Sequence, residues 1–294
     1  MIGFFVIKKE ETLFFLIKYV TIVICLGKRK NVYKGEIMNF FTNPDWFGRS
    51  GPFAYNLEYL VFIIIAIAFS VVFPIILRKK QSKTVKSVLI TLWCIAVALD
   101  GLKYGYGLIS NIASGNVSIA NIDLPLWTCS MYLYLMPFAL FCKNEKVARA
   151  CSAFICTISF FGGIINFAVP AEESFFSFYG LHKFIYHYVL MLTPIVMLST
   201  GYIKLKIKDV IGIMAIFVIF GIPVYIFNAI THQDYMFTYD GSWLPIDVSF
   251  ISFKPLYTLI CLVMYCLVTL LFIGIDIGIR KLACIKSKKC NKTE

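Results

Sequence analysis

Apolar residues run in long blocks along this chain, and short charged stretches separate them. The blocks cover residues 57–77, 87–108, 124–142, 147–169, 181–203, 210–230 and 255–279. Each is about 18–25 residues, the length an α-helix needs to cross ~30 Å of hydrocarbon at ~1.5 Å per residue. The two-residue alternation of a membrane β-barrel is absent. The pattern predicts an all-α membrane protein, a seven-transmembrane-helix bundle. Basic residues follow every odd block: Arg78, Lys79, Lys80, Lys83 and Lys86 after the first, Lys143, Lys146 and Arg149 after the third, Lys204, Lys206 and Lys208 after the fifth, and the run from Arg280 to Lys292 after the seventh. The loops after even blocks differ: residues 109–123 hold no Lys or Arg, and the later ones carry Glu172 and Glu173, then Asp234, Asp240 and Asp247. Positive charge marks the cytoplasmic side, so the N-terminus is expected outside and the C-terminus in the cytoplasm. Trp127, Trp243 and the tyrosines near block ends read as interfacial belts.

Composition changes this picture little. The 294 residues are 60% hydrophobic and 17% aromatic, with mean hydropathy +0.80, well above the ~45–50% apolar content of ordinary domains. The net charge of +12 lies in alternate loops, so it reports topology and argues against a nucleic-acid partner. Membrane lipids are the expected partners, and the cell membrane the expected location. The ten cysteines show no CxxC spacing, and most lie inside apolar blocks, where Cys packs as a small hydrophobe. The outward loops contain none, which leaves no extracellular disulfide framework. No phosphate loop, HExxH or metal-cysteine cluster occurs, so no cofactor and no metal is expected. A retinal protein would need a lysine inside the last block, and residues 256–279 contain none.

Residues 1–37 stand apart. The apolar run 13–26 is only 14 residues long, is interrupted by Lys18, and is followed by Lys28, Arg29 and Lys30 on what would be the outer side. An interfacial segment and a signal-like leader are alternatives. The favoured reading starts translation at Met38, with residues 38–280 as the seven-helix domain and 281–294 as a basic cytoplasmic tail.

Strongly polar residues inside apolar blocks are costly and therefore candidates for function. At ~1.5 Å per residue from the outer ends, Lys103 and Cys129 lie roughly 7 Å deep, Asp100 roughly 12 Å, Asn166 roughly 5 Å and His187 roughly 9 Å. Asp100 and Lys103 are three apart on one helix face and can pair. His182 reads as interfacial, Asn228 lies at the outer end of block six, and His232 and Asp234 cap it. In the inner half, Asp276 stands four before Arg280 as a local pair. Singly, each residue has a bland account as packing or as glue between helices. Their shared depth predicts an outward-facing polar pocket between helices. Its entrance is the stretch Leu124, Pro125, Leu126, Trp127, Thr128, Cys129 and Ser130, expected as the opening of helix three with Cys129 about one turn in.

That stretch, His187 after the aromatic entry Phe175, Phe176, Ser177 and Phe178, and Asn228 followed by Asp234, Tyr235, Met236 and Phe237 carry a resemblance. In order and spacing they resemble the YwaF-type bacterial integral membrane proteins, a seven-helix family. Its eukaryotic relatives include a transmembrane phospholipid acyltransferase that uses a membrane cysteine. The family's third helix opens Leu-Pro-Leu-His-x-Cys-Ser, so Trp127 stands here in place of a histidine. Asp234 stands in place of an asparagine, and Asp100 and Tyr106 match an acidic residue and an aromatic near the end of helix two. The resemblance covers about residues 38–280.

Three functions follow as expectations. The first is cysteine-dependent acyl transfer to lipid. Cys129 would be the nucleophile and His187 its base, with Asp100, Lys103, Asn166, Asn228 and Asp234 lining the pocket or orienting substrate. The second is a transporter or small-solute binding protein using the same pocket, with helices four and six broken at Gly162-Gly163 and at Gly221-Ile222-Pro223. Seven blocks do not divide into two inverted halves, and no internal repeat is visible, which weakens this second reading. The third is a structural subunit without catalysis.

Overall fold

Each apolar block becomes a helix because a chain out of water must satisfy its own backbone N–H and C=O groups. A computed structural model describes residues 57–113, 124–168, 177–237, 239 and 253–290. The run 13–26, the start at Met38, and residues Glu172, Glu173, Phe175, Phe176, Asp240, Trp243 and Asp247 lie outside the described residues. Helices α1 (Leu57–Leu77), α2 (Ser82–Ala113), α3 (Met131–Phe141), α4 (Glu145–Phe154), α5 (Phe160–Ala168), α6 (Phe178–Ser199), α7 (Asp209–Thr231) and α8 (Lys254–Cys290) follow in order, with no strand among the described residues. A π-helical turn, Ile155–Ser159, joins α4 to α5, and a short 3-10 turn, Tyr235–Phe237, follows α7. Six spans are long and apolar enough to cross a membrane, and Met131–Phe141 is a shorter apolar helix.

The chain divides into two compact units, Met1–Phe53 with Ala171–Leu181, and Ala54–Pro170 with His182–Glu294. In the first unit, the Ser177 hydroxyl accepts the Gly180 N–H at 3.0 Å and so caps the start of α6. The second unit holds the core. Its axis is α4 with the π turn, where every residue from Cys151 to Ser159 is buried. α4 packs on α3 and α7, and the π turn packs on α3 and α8. Gly212 makes the α4–α7 approach possible, since a Cβ there would lie 2.9 Å from Ala150 Cβ. Large apolar side chains on α1 (Ile64, Ile65, Ile67), α7 (Ile211, Ile219) and α8 (Leu271, Ile279) point out of the protein. On a bundle sitting in lipid these are the hydrocarbon-facing positions.

Two expectations fail. Helix three does not open at Leu124; residues 124–130 form turns, and the helix begins at Met131. Pro125 supplies no N–H and biases Leu124 toward an extended backbone, so the first turn cannot propagate. Helices four and six are also not broken at their glycines. Gly162 and Gly163 lie inside α5, and α7 runs continuously through Gly221 and Pro223. The irregularity in the fourth span sits earlier, where Thr157 donates to the Ala153 carbonyl at 2.8 Å and Phe160 N–H reaches back five residues to Ile155. Such π turns often mark functional regions of helices.

At the basic-loop end, Asp276 and Arg280 pair as expected, 2.8 Å apart. They also grip the loop before α7: Leu205 N–H donates to Asp276 at 3.0 Å, and Arg280 donates to the Leu205 carbonyl at 2.6 Å. Arg149 meets Asp209 through two bonds of 2.7 Å and donates to the Lys204 carbonyl at 2.8 Å.

Candidate functional site

The turns at 124–130 leave backbone groups that no helix satisfies, and irregular backbone at membrane depth is tolerated only where protein surrounds it. Tyrosines from three elements supply partners for backbone groups, and a tyrosine from a fourth meets a side-chain hydroxyl. Leu124 N–H donates to the Tyr235 hydroxyl at 3.0 Å. Tyr134 on α3 donates to the Pro125 carbonyl at 3.1 Å. Tyr186 on α6 donates to the Cys129 carbonyl at 3.2 Å. The Thr128 hydroxyl and the Tyr265 hydroxyl on α8 lie 3.0 Å apart. Trp127 meets Tyr235 edge-on, ring centres 5.0 Å apart. The position where the resembled family has histidine is therefore an aromatic contact in this chain.

Cys129 lies two residues before the first residue of α3 and is partly exposed, a free thiol. Of two neighbouring glycines of α5, one faces Cys129 and the other faces α6. A Cβ on Gly162 would stand 3.9 Å from Cys129 Cβ, and a Cβ on Gly163 would stand 3.2 Å from the His187 carbonyl oxygen. Glycine at 163 thus lets α5 press against α6 at His187. The His187 ring is oriented from its own helix: Nδ1 lies 2.7 Å from the Lys183 carbonyl. A carbonyl can only accept, so Nδ1 carries the proton and the neutral ring keeps its lone pair on Nε2. Nε2 is buried without a hydrogen-bond partner among the described residues.

Asp100 does not pair as expected with Lys103. Its Oδ1 lies 2.8 Å from His182 Nε2, both side chains are buried, and Oδ2 has no partner among the described residues. His182 is accordingly part of the buried site rather than an interfacial residue. Its ring stacks on Tyr186, centres 5.5 Å apart and planes 9° from parallel. Lys103 places its ammonium 4.8 Å from the Tyr104 ring centre. Pairing across helices places Asp100 where a same-helix partner three residues on is not needed.

Asn166 donates to the Gly162 carbonyl of its own helix at 3.0 Å. Asn228 is fully buried and clasps one residue by both ends, donating to the Tyr235 carbonyl at 2.8 Å and accepting its N–H at 3.1 Å. His232 ends α7 in the left-handed conformation, φ 56°. Asp234 is buried and accepts the Tyr239 N–H at 2.8 Å. Asn228 and Asp234 thus shape the turn that presents Tyr235 to Leu124 and Trp127. The sequence places His182 at the interface, names Tyr235 only within the resembled motif, and gives no role to Tyr186 or Tyr265. A usable signal was present for Tyr186 and Tyr265: a tyrosine well inside an apolar block has a hydroxyl that must find a partner.

These polar groups lie at the late ends of α2, α5 and α7 and the early parts of α6 and α8, beside the entry to α3. They gather at one end of the bundle because consecutive spans alternate in direction. The fold and this site define a polytopic, multi-pass membrane protein with a buried polar centre built around an irregular span entry. The chain belongs to the TMEM164 family, a transmembrane protein family whose model matches residues 53–273. That match contains Cys129, His187 and the partners described for this site. No curated protein and no solved structure matches the chain.

Proposed function

We propose that this protein is a membrane-embedded lipid acyltransferase with Cys129 as nucleophile and His187 as base. The observation that carries the reading is the His187 ring. Its Nδ1–H is spent on Lys183, and its buried Nε2 has no hydrogen-bond partner among the described residues, while α5 adjoins both residues, Gly162 facing Cys129 and Gly163 facing the His187 carbonyl.

In the reaction, the Cys129 thiol gives its proton to His187 Nε2 as sulfur attacks the ester carbonyl of a phospholipid. The ester C–O bond breaks, the leaving lysophospholipid oxygen takes the proton, and the acyl chain remains as a thioester. A hydroxyl of an acceptor lipid then attacks the thioester, gives its proton to His187, and restores the thiol as sulfur leaves. Asp100, Lys103, Asn166, Asn228 and Asp234 bound the site or orient its parts. The reading goes with the orientation argued from loop charge: N-terminus outside, C-terminus in the cytoplasm, the site in the outer leaflet of the cell membrane. The site then lies near the depth of acyl carbonyls, below the headgroups. The transporter alternative drew on breaks in helices four and six, and α5 and α7 run unbroken through those glycines.

The test is transfer of a labelled acyl chain between phospholipid and lysophospholipid in vesicles containing the purified protein. Wild type should accumulate a hydroxylamine-sensitive label on the protein, and Cys129→Ala should lose both label and transfer. Full transfer by Cys129→Ala would overturn the proposal.

A further inference from the structure

The mechanism uses Cys129 and His187 but gives no task to His182, whose buried ring Asp100 holds. Its geometry leads back to the nucleophile. Asp100 Oδ1 holds His182 Nε2 at 2.8 Å across two helices. The held ring stacks on Tyr186 at 5.5 Å, nearly parallel. The Tyr186 hydroxyl in turn donates to the Cys129 carbonyl at 3.2 Å. That carbonyl also accepts the Tyr132 N–H at 3.2 Å, the bond that starts α3. Each member is buried except the cysteine, and each fixes the next.

We infer that His182, tethered by Asp100, is a positioning residue that acts through Tyr186 to hold the Cys129 turn in place. The inference rests on the acyltransferase reading for its chemical purpose, but the positioning itself concerns only where Cys129 sits. A backbone without a preceding helical turn has no local means of fixing its side chain. A side chain that must meet a reacting carbonyl needs its supporting residues locked in turn. Here the lock is assembled from α2 and α6. Tyr186 also meets His187 edge-on, ring centres 5.3 Å apart, so one tyrosine abuts both proposed reacting residues.

The prediction separates a chain of action from four independent contacts. If His182 acts on Cys129 through the Tyr186 hydroxyl, the effects of Tyr186→Phe and His182→Gln will not add. Tyr186→Phe removes only the hydroxyl. His182→Gln keeps an amide donor for Asp100 while removing the ring that backs Tyr186.

The experiment uses full-length protein in vesicles with Cys129 as its sole cysteine, and measures the rate of alkylation by N-ethylmaleimide. Each single variant should speed alkylation roughly threefold to tenfold, the factor by which one lost hydrogen bond shifts a local opening. The double variant should match the faster single variant. Rates within twofold of the parent for Tyr186→Phe, or effects that multiply in the double variant, would overturn the inference. Tyr186→Phe carries the test alone if His182→Gln does not fold, as judged by its helical circular dichroism. In the native-cysteine protein, kcat for acyl transfer should fall by a similar factor in each variant with KM unchanged. Transfer that survives Cys129→Ala would sink the acyltransferase reading while leaving the alkylation result to decide the positioning.

Discussion

At the scale of single residues, His187 and Asn228 show two opposite uses of a buried polar side chain. His187 satisfies one ring nitrogen locally, and the other has no partner among the described residues, an arrangement that suits the proposed base. Replacing it by Gln, which cannot act as a base near neutral pH, should lower kcat for acyl transfer roughly 10²–10⁴-fold, with the thermal midpoint in detergent little changed. Asn228 spends its amide on both backbone groups of Tyr235. Asn228→Ala should cost about 1–3 kcal/mol, since it leaves a buried N–H and C=O unsatisfied. A thermal melt of the purified protein would show the loss. The two residues were both visible as polar positions in apolar blocks. Which one clasps a backbone and which one is the proposed base depends on Tyr235 and Lys183, and no property of His or Asn alone reveals that.

Among elements, α5 is the informative one, because its neighbouring glycines face different loads. A Cβ at Gly162 would meet Cys129 at ordinary contact distance, 3.9 Å. A Cβ at Gly163 would meet Met191 Cγ at 2.9 Å and the His187 carbonyl at 3.2 Å, and backbone cannot step aside as Met191 can. Gly163→Ala should therefore destabilise by about 1–3 kcal/mol, as overpacking does, while Gly162→Ala should fold with near-native stability. Melting curves of the two variants side by side would check this, and equal midpoints would contradict it. The glycine pair was legible as unusual, yet its expected role as a helix break was not what the packing uses. Glycine in an apolar helix either breaks it or lets a neighbour approach, and only the neighbour's position distinguishes the two.

Across the whole molecule, the two ends of the bundle are built differently. One end gathers the tyrosine-held turn and the polar residues. The other is closed by two Arg–Asp pairs that hold the loop between α6 and α7 from both sides, Arg149 with Asp209 and Arg280 with Asp276. Asp209 is buried while Arg149 is partly exposed. Arg149→Met strands the buried carboxylate and should cost about 3 kcal/mol, the low end for a broken buried pair. Loss of the folded fraction during detergent extraction would report it. Asp276 was read as a local partner of Arg280, which it is, but its bond to Leu205, 71 residues away, ties α8 to the loop.

The sequence by itself determined the all-helical membrane class, the positions of seven apolar blocks and the residues that carry reactive groups. Those follow from hydrophobic runs and side-chain chemistry, which are local. Tertiary structure alone decided that residues 124–130 are turns, that Asp100 meets His182 82 residues on, and that Tyr186 reaches Cys129 57 residues back. It also decided that Leu124 finds its acceptor on Tyr235, 111 residues away. A residue's need for a hydrogen-bond partner is written in its own side chain. The identity of that partner is set by which helices pack together, and that depends on the shapes of all of them at once.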